Sequence, residues 1–307
     1  NKYKARIKIL VHEEGAEKIR DEVEAEFARA GGLAVQPDQH EIERINTYFA
    51  PPAYESLPDQ SARLEAVLAS DPAFAEWRRV NVAEHKIAGY AIVNISLKPI
   101  GGAPGDATSE QMRAAAALAE RYSLGELRVT HTQNLVLPNV RKDDLHALWQ
   151  ALGEAELAEA NFGLVTDIIA CPGLDYCALA TARSIPIAQA ISNRFADRNK
   201  QREIGELGIK ISGCINACGH HHVGHIGILG LEKRGEEFYQ ISLGGDATED
   251  AAVGEIVGKG FAHEQVADAV ETIVEAYLAR RSDGEKFIDT YRRIGAEPFK
   301  EALYAAD

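Results

Sequence analysis

An α+β fold in two consecutive units, the second with a mixed sheet, is the fold class that the sequence predicts. The chain has 307 residues, which exceeds the length of one ordinary domain and suits two. Strand-like and helical runs alternate along residues 81–160 and again along residues 161–307. All four cysteines fall in the second stretch, between Cys171 and Cys218.

The N-terminal region, residues 1–80, is predicted to be a helix and a wrapping linker that follow a preceding half of the protein. A charged amphipathic pattern predicts a helix over residues 17–29, with Gly31 as its stop signal. Five prolines interrupt the short helical patterns of residues 36–80. Because proline breaks helices, this stretch is predicted to be irregular.

Residues 81–160 are predicted to form a compact β-α-β-β-α unit. Thr108 or Ser109 would cap an alanine-rich helix that ends near Tyr122. The other predicted elements are strands over 87–98, 126–130 and 133–138, the last ended by Pro138, and a helix over 142–152. This order resembles half of a ferredoxin-like sandwich.

Residues 161–307 are predicted to form the second unit. The predicted strands are 164–170, 208–212, 225–231 and 238–243, and the predicted helices are 176–195, 262–281 and 284–294. The two cysteine pairs fall in the turns that follow the first two of these strands.

The net charge of −14 argues against two classes of partner. Nucleic-acid phosphates and anionic membrane surfaces both require a basic face on the protein. No apolar stretch of the sequence approaches the roughly 20 residues that span a bilayer, and the first residues lack the apolar run of a signal peptide. We therefore expect a cytoplasmic protein whose clustered cysteines serve a metal or redox function.

The cysteines form two closely spaced pairs, Cys171 with Cys177 and Cys214 with Cys218. Two thiolates from each of two loops can surround a 4Fe–4S cube if the loops meet in space. Gly213 and Gly219 flank the second pair, where glycine allows a positive φ and a close approach of the backbone to the cluster sulfides. Pro172 is expected to fix the turn after the first cysteine.

Two other interpretations of the cysteines stay open. A structural zinc site also uses four cysteines, but its paired ligands are usually two to four residues apart, so the five-residue gap after Cys171 fits poorly. Inert buried cysteines are the second alternative, which gives no reason for all of them to share one segment.

The segments around both cysteine pairs, residues 170–177 and 213–219, resemble the two cluster-binding segments of sirohaem nitrite and sulfite reductases. Residues 127–135 are similar to the R-x-T-x-x-Q-N segment of the ferredoxin-like half-domain in that family, and residues 243–246 to a family turn. The resemblance implies two cofactors, a 4Fe–4S cluster and a sirohaem. It also implies a ferredoxin-like half-domain followed by an α/β domain that binds both cofactors.

The same resemblance implies roles for individual residues. Cys218 aligns with the cysteine whose sulfur bridges the cluster to the haem iron. Arg128 is added because sirohaem carries many carboxylates, which arginine binds well, although a surface arginine at a strand end is an equal alternative. The predicted metal ligands are Cys171, Cys177, Cys214 and Cys218. The predicted cofactor-binding residues are Arg128, Gln133, Asn134, Ala180, Asn216 and His220.

Histidines His220 to His222, followed by His225, come directly after the second pair. They could act beside the haem as proton-relay groups, because histidine titrates near neutral pH. They could bind an adventitious metal, or they could pack beside the loop with backbone partners. Packing is favoured for two of the three consecutive histidines, and haem contact stays open for His220. His131 is expected to be an ordinary strand-end residue.

The resemblance predicts the cluster-bearing, C-terminal half of an assimilatory sulfite or nitrite reductase. Electrons would pass from the cluster through the bridging thiolate to the sirohaem, for the six-electron reduction of sulfite to sulfide or of nitrite to ammonia. The expected partners are a missing N-terminal half, an electron donor (a ferredoxin or a flavoprotein subunit) and a small anionic substrate. The chain begins at Asn1, so further sequence is expected upstream, and the chain alone is expected to be inactive.

Two alternative functions stay open, a haem-free iron–sulfur electron-transfer module and a zinc-stabilised structural domain. The half-domain segment that carries Arg128 and Gln133 argues against the first, because a bare cluster carrier has no use for it.

Overall fold

The computed structural model describes residues 7–31 and 38–305, and the chain divides into two units, residues 1–53 and 54–307. The described helices of the first unit are α1 (Ile7–Glu14), α2 (Ala16–Arg29) and α3 (Gln39–Tyr48). Helix α2 confirms the helix predicted over residues 17–29, and Gly31 follows it with a φ of +76°. Positions 36 and 37 of the predicted linker lie outside the described residues.

The segment that leads into the half-domain is more helical than its prolines predict. It forms α4 (Ala62–Ser70) and α5 (Pro72–Asn81). Pro72 begins α5, and the Asp71 carboxylate accepts hydrogen bonds from the N–H groups of Ala73 and Phe74 at 3.1 and 3.0 Å. The predicted irregular structure is therefore wrong over α3, α4 and α5: α3 and α4 lie between prolines, and α5 begins at one, where proline is tolerated. The domain boundaries near residues 80 and 160 stay predictions.

The half-domain is a four-stranded antiparallel sheet with two helices. Its strands are β1 (Val82–Glu84), β2 (Tyr90–Ile95), β3 (Arg128–Val129) and β4 (Leu135–Arg141), and its helices are α6 (Ser109–Tyr122) and α7 (Leu145–Glu154). The strand order is β1-β2-β4-β3, so the predicted β-α-β-β-α order is confirmed with β1 added at one edge. Thr108 and Gln111 cap α6 by exchanging side-chain and backbone hydrogen bonds.

Pro138 lies inside β4 and does not end it. Leu137 faces Val93 of β2, whereas Val140 faces Ala91, so two residues of β4 oppose one residue of β2. This β-bulge accommodates proline because the bulged residues leave the regular hydrogen-bond ladder. The prediction that the strand stops at Pro138 is therefore wrong.

The second half of the chain is built on a mixed sheet, as predicted. Its strands are β5 (Ile169–Ala170), β6 (Ile209–Ser212), β7 (Ile226–Lys233), β8 (Glu236–Leu243), β9 (Glu255–Ile256) and β10 (Phe261–Ala262). Its helices are α8 (Ile185–Arg194), α9 (Arg198–Ile204), α10 (Val266–Arg280), α11 (Phe287–Ile294) and α12 (Glu297–Tyr304). Strands β5, β6 and β7 run parallel, and the other pairings are antiparallel. Within residues 7–31 and 38–305, no helix has the length and apolar character needed to cross a membrane.

The helix predicted over residues 176–195 forms only in its second part. Residues 176–184 make an irregular loop that carries Cys177, and α8 begins at Ile185. Pro186 explains the difference, because proline fits the first turn of a helix and is disfavoured in its interior.

The two faces of β6 serve different purposes. Ile209 and Ile211 are buried in the core that the sheet shares with α8 and α10. Side chains alternate along a strand, so Lys210 and Ser212 lie on the opposite face. There the Ser212 Oγ accepts a hydrogen bond from the Gly219 N–H at 3.1 Å. The second cysteine loop is therefore fastened to the face that is free of the helical core.

A substitution at Leu148 tests how tightly the core of the half-domain is packed. Its side chain is 0% exposed on α7, so Leu148→Ala should lower the free energy of unfolding by about 2–5 kcal/mol by leaving a cavity. Met112→Ala on α6, where the side chain is 47% exposed, should change it by less than about 0.5 kcal/mol. Urea denaturation followed by circular dichroism measures both, and equal effects would contradict the packing described.

Candidate iron–sulfur cluster site

Parallel pairing of β5 with β6 brings the two cysteine loops to one edge of the sheet. Ala170 lies opposite Ile211, and the Cys171 N–H donates to the Ile211 carbonyl at 3.1 Å. Because parallel strands end at the same edge, the loops that begin at Cys171 and at Gly213 leave the sheet side by side. The prediction that both pairs follow strands is confirmed.

Backbone hydrogen bonds join the two loops. The Gly213 carbonyl accepts from the N–H groups of Thr181 and Ala182, each at 2.9 Å, and from the Thr181 hydroxyl at 3.1 Å. Within the first loop, the Leu174 N–H donates to the Ala182 carbonyl at 3.1 Å. The residues on both sides of Cys177 are therefore held at the strand end that precedes the second pair.

The sulfur of Cys171 receives polar contacts from both sides. The Gly213 N–H donates to it at 3.1 Å, and the Ser184 Oγ lies 3.4 Å away. Donors directed at a cysteine sulfur stabilise its thiolate form, which is the form that binds iron, and they tune the reduction potential of a bound cluster. The first cysteine of one pair thus accepts a hydrogen bond from the residue that precedes the other pair.

Exposure increases across the four cysteines. Cys171 and Cys214 are buried, at 9% and 7% exposed, Cys177 is partly exposed and Cys218 is exposed. The site is therefore closed on the side of the sheet and open on the side of Cys218.

Two glycines permit the close packing of the loops. A Cβ at Gly213 would lie 2.5 Å from the Ala182 carbonyl oxygen, and one at Gly219 would lie 1.9 Å from that of Ile211. The predicted close approach of the backbone to cluster sulfides stays a prediction, and the expected positive φ is wrong at both glycines. The left-handed residues of this loop are Ala217 and His220, with φ of +58° and +56°.

Four cysteine thiols are a donor set that both a zinc ion and a 4Fe–4S cluster use. Four sulfurs bound to a single zinc at about 2.3 Å would lie only about 3.8 Å apart. Within residues 7–31 and 38–305, no three His, Cys, Asp or Glu side chains converge closely enough to hold one ion. A 4Fe–4S cube binds each thiolate through a different iron, so its four ligands stand further apart.

Apolar side chains surround the open side of the site. Tyr176 and Leu179 of the first loop are 80% and 65% exposed, and Ile215 of the second loop is 65% exposed. Ala180 and Asn216, which the resemblance makes haem-facing, lie on the same loops and are partly exposed. A concentration of exposed apolar groups beside the cysteines indicates a surface that another group covers.

Gln133 and Asn134 contact the segment that leads into the first cysteine. The Gln133 Oε1 accepts from the Ala170 N–H at 3.0 Å, and its Nε2 donates to the Ala170 carbonyl at 2.7 Å. Asn134 is fully buried, donates to Asp167 and accepts from the Leu97 N–H, each at 3.1 Å. The haem contacts of both residues stay predictions, and the contacts described here belong to the protein interior.

Arg128 lies at the surface of the half-domain. Its side chain is 64% exposed and pairs with Glu126 at 2.5 Å. In this structure Arg128 therefore binds the carboxylate of a residue two positions before it. The binding of a sirohaem carboxylate by Arg128 stays a prediction.

The histidines differ in their surroundings. His220 is exposed, whereas His221 is 4% exposed and stacks on His222 with 3.9 Å between the ring centroids. Burial lowers the pKa of His221 to about 4, and its Nδ1 has no hydrogen-bond partner among the described residues. The His225 Nδ1 accepts from the Gly208 N–H at 3.1 Å.

The turn at residues 243–246 supports this histidine segment. A Cβ at Gly245 would lie 2.6 Å from the His222 carbonyl oxygen, which also accepts from the Gly254 N–H at 2.8 Å. The buried Asp246 pairs with Arg292 at 2.8 Å. The similarity of this turn to a family segment thus corresponds to a third loop that packs under the second cysteine loop.

Sequence reasoning missed a buried ion pair beside the site. Lys98 Nζ lies 2.5 Å from Asp167 Oδ1, and the two side chains are 2% and 7% exposed. The partners are 69 positions apart, so no spacing pattern connects them. The one available signal was a lysine three positions after the end of β2, in a largely apolar stretch.

Comparisons with known proteins identify two family domains in the chain. The nitrite/sulfite reductase ferredoxin-like half domain matches residues 95–155, and the nitrite and sulphite reductase 4Fe-4S domain matches residues 163–306. The second match contains all four cysteines.

Curated relatives carry the names of sulfite and nitrite reductases. A sulfite reductase (ferredoxin) 2 of Mycolicibacterium paratuberculosis is 25% identical over 92% of this chain and 46% of its own length. A chloroplastic ferredoxin–nitrite reductase of Betula pendula is 29% identical over 69% of this chain and 36% of its own length. An assimilatory ferredoxin-dependent nitrite reductase of Haloferax mediterranei is 27% identical over 92% of this chain and 45% of its own length. The chain spans about half the length of the curated relatives it matches, or less.

Solved structures show the same fold. The Mycobacterium tuberculosis NirA protein matches with a TM-score of 0.60 and 23% identity, over 96% of this chain and 49% of that one. Dissimilatory sulfite reductase I matches with a TM-score of 0.60 and 13% identity, over 70% of this chain and 69% of that one.

Gly219→Ala should disturb the second cysteine loop, because the new Cβ would lie 1.9 Å from the Ile211 carbonyl oxygen. We expect a loss of about 1–3 kcal/mol in stability and less iron and acid-labile sulfide per chain after anaerobic purification. Gly153→Ala on α7 is the control, since no atom lies within 4 Å of its added Cβ, and it should keep the wild-type contents. A full complement of iron and sulfide in Gly219→Ala would contradict the tight packing.

The buried His221 predicts a pH dependence of stability. The unfolded chain protonates this imidazole near pH 6.5 and the folded chain only near pH 4, so its contribution is fully present above about pH 6.5 and is lost as the pH falls towards 4. Between about pH 7.5 and pH 5 the loss should be roughly 2 kcal/mol.

His221→Phe removes this titration and keeps an aromatic ring. Urea denaturation at the two pH values should therefore show a weaker pH dependence for His221→Phe than for the wild type or for the exposed control His40→Phe. Identical pH dependences in all three proteins would rule out this role for His221.

Proposed function

The chain belongs to the nitrite/sulfite reductase family, and we propose that it is the cluster-bearing half of an assimilatory sulfite or nitrite reductase. The cofactors of this family are a 4Fe–4S cluster and a sirohaem. The observation that carries the proposal is the junction of two cysteine loops at one sheet edge, joined by three hydrogen bonds to the Gly213 carbonyl.

The proposed ligands differ in position and therefore in role. Cys171, Cys177 and Cys214 would hold three irons on the closed side of the cluster. Cys218 would hold the fourth and bridge to the sirohaem iron, a role supported by its exposure at the open side. When bound, the two cofactors supply the electron storage and the iron-centred chemistry for the six-electron reduction of sulfite to sulfide or of nitrite to ammonia.

The protein's own groups would hold and insulate the cofactors. The Gly213 N–H and the Ser184 hydroxyl stabilise negative charge on the Cys171 sulfur. The exposed rings and aliphatic chains of Tyr176, Leu179 and Ile215 would cover the edge of the macrocycle and exclude water from the bridging sulfur. The loops thereby control the charge and the solvent access of the metal centre.

Charge supports the need for a second half. The chain carries 47 acidic and 33 basic residues, whereas sirohaem and its substrate are anionic. The cation closest in sequence to the first cysteine loop, Arg183, is paired with Glu237 at 2.8 Å and with Asp175 at 3.4 Å. We propose that the positive charge around the substrate comes from an N-terminal half, in line with the greater length of the relatives.

The electron donor proposed is a ferredoxin, which the names of the relatives in Mycolicibacterium, Betula and Haloferax all include. A flavoprotein subunit is the alternative donor. A cytoplasmic location stays a prediction, since the Betula relative is named chloroplastic.

Cys218→Ser tests the bridging role in the complete enzyme. With reduced methyl viologen as donor, it should lower sulfite or nitrite reduction by ~100-fold or more, because a metal ligand is replaced. Val253→Ser, at a site 73% exposed outside the cysteine loops, should leave turnover unchanged.

Three outcomes would overturn parts of this proposal. Wild-type turnover in Cys218→Ser would remove the bridging role. Turnover by the chain without its other half would contradict the half-enzyme assignment. A cluster that binds without any sirohaem in the complete enzyme would favour the electron-transfer module.

A further inference from the structure

Strand β5 is an edge strand that needs a partner on its outer side. Among the described strands it lies at the end of the sheet and pairs only with β6. Cys171 directs its N–H towards β6, so the N–H and carbonyl of Ala170 point to the other side, because successive residues of a strand alternate. Ala170 is 3% exposed, and buried backbone groups require hydrogen bonds.

One side chain of the half-domain supplies both bonds. Gln133 accepts from the Ala170 N–H at 3.0 Å and donates to the Ala170 carbonyl at 2.7 Å. A neighbouring strand would make the same pair of bonds. The Gln133 amide therefore completes the sheet at the residue that immediately precedes the first cysteine.

The turn that presents Gln133 is built for this contact. Gln133 has a φ of +59°, a conformation that surroundings must impose on a residue with a side chain. The Thr130 Oγ1 accepts from the Asn134 N–H at 3.0 Å and closes the turn. Gly105 leaves room beside it, since a Cβ there would lie 3.0 Å from the Gln133 Cβ.

A buried network holds the other end of the same segment. The Asp167 carboxylate accepts from Lys98 Nζ at 2.5 Å, from Asn134 Nδ2 at 3.1 Å and from the Gly163 N–H at 2.8 Å. Lys98 also donates to the Thr132 carbonyl. Residues 167 and 170 are thus both tied to the half-domain turn, a few positions before the cysteine.

We propose that Gln133, together with the Lys98–Asp167 pair, positions the Cys171 thiolate, so that the half-domain sets the geometry of the cluster site through β5. The proposal rests on the cluster function proposed above. A shift of Ala170 would move Cys171 relative to the Gly213 N–H that donates to its sulfur. Hydrogen bonds to ligand sulfurs tune the reduction potential of a cluster.

A matched control exists in the chain. Gln189 on α8 donates to the Gly101 carbonyl at 3.0 Å, so it too joins the half-domain to the second domain. It contacts neither β5 nor a cysteine loop in the hydrogen bonds described. Gln189→Leu therefore removes a similar contact without the proposed positioning.

The experiment compares Gln133→Leu and Gln189→Leu in the full chain, purified anaerobically. Hydrogen–deuterium exchange of peptides that cover residues 165–172 should be about tenfold faster in Gln133→Leu, because two hydrogen bonds are lost. The reduction potential of the bound cluster should shift in Gln133→Leu and stay at the wild-type value in Gln189→Leu. Gln133→Glu keeps the acceptor for the Ala170 N–H, so its exchange rate and reduction potential should fall between those of the wild type and of Gln133→Leu. If Gln133→Leu fails to fold, Gln133→Glu takes its place in the comparison.

The outcomes separate this inference from the proposed function. Wild-type exchange in Gln133→Leu, with altered sirohaem loading of the complete enzyme, would overturn the positioning role in favour of haem contact. Faster exchange in Gln133→Leu with an unchanged reduction potential of the cluster would show that the half-domain holds β5 without setting the geometry of the cluster site, and would overturn the proposal. Failure of the wild-type chain to bind any cluster would sink the proposed function, while the exchange result would still decide how β5 is held.

Discussion

The pairing of β5 with β6 is the interaction on which the site depends. β5 is only two residues long, yet its register places Ala170 opposite Ile211 and so brings Cys171 to the strand end that leads to Cys214. Neither loop contains enough ligands for a cluster by itself. A short strand bonded on one side is weak, so the bonds to its outer edge and between the loops are needed to keep four thiolates together.

Polar groups are concentrated where the half-domain meets the cluster domain. Burying a lysine and a carboxylate is costly unless each finds partners, and the Lys98–Asp167 pair finds them in Asn134, Thr132 and Gly163. Desolvation lowers the pKa of Lys98, and the charge of Asp167 opposes that effect. Such a network adds little to the free energy of unfolding. Its main effect is to fix the half-domain in one orientation against the cluster domain, because a rotation of either would leave buried charges without partners. The side of the site at Cys218 differs, since exposed apolar side chains such as Leu179 and Ile215 lie there.

Sequence patterns predicted the features that depend on local spacing. The cysteine pairs, the capped helix α6 and the mixed sheet follow from residue order and turn chemistry. Features set by distant contacts were missed or wrong: the bulge at Pro138 depends on β2, and the buried ion pair joins positions 69 apart. Gln133 was recognised as important through its motif, but its partner could not be predicted because Ala170 lies 37 positions away on a strand of the other domain. Packing was predicted for two of the three consecutive histidines, but the sequence alone could not show that His221 is the buried one.

The central claim is that four thiolates on two joined loops hold one 4Fe–4S cluster. Mössbauer spectroscopy of the anaerobically purified chain, loaded with isotope-labelled iron and assayed for zinc and acid-labile sulfide, tests it most directly. We expect about four irons and four sulfides per chain, with the spectrum of a single cubane. About one zinc per chain, with no labile sulfide, would contradict it and leave the cysteines as a structural zinc site.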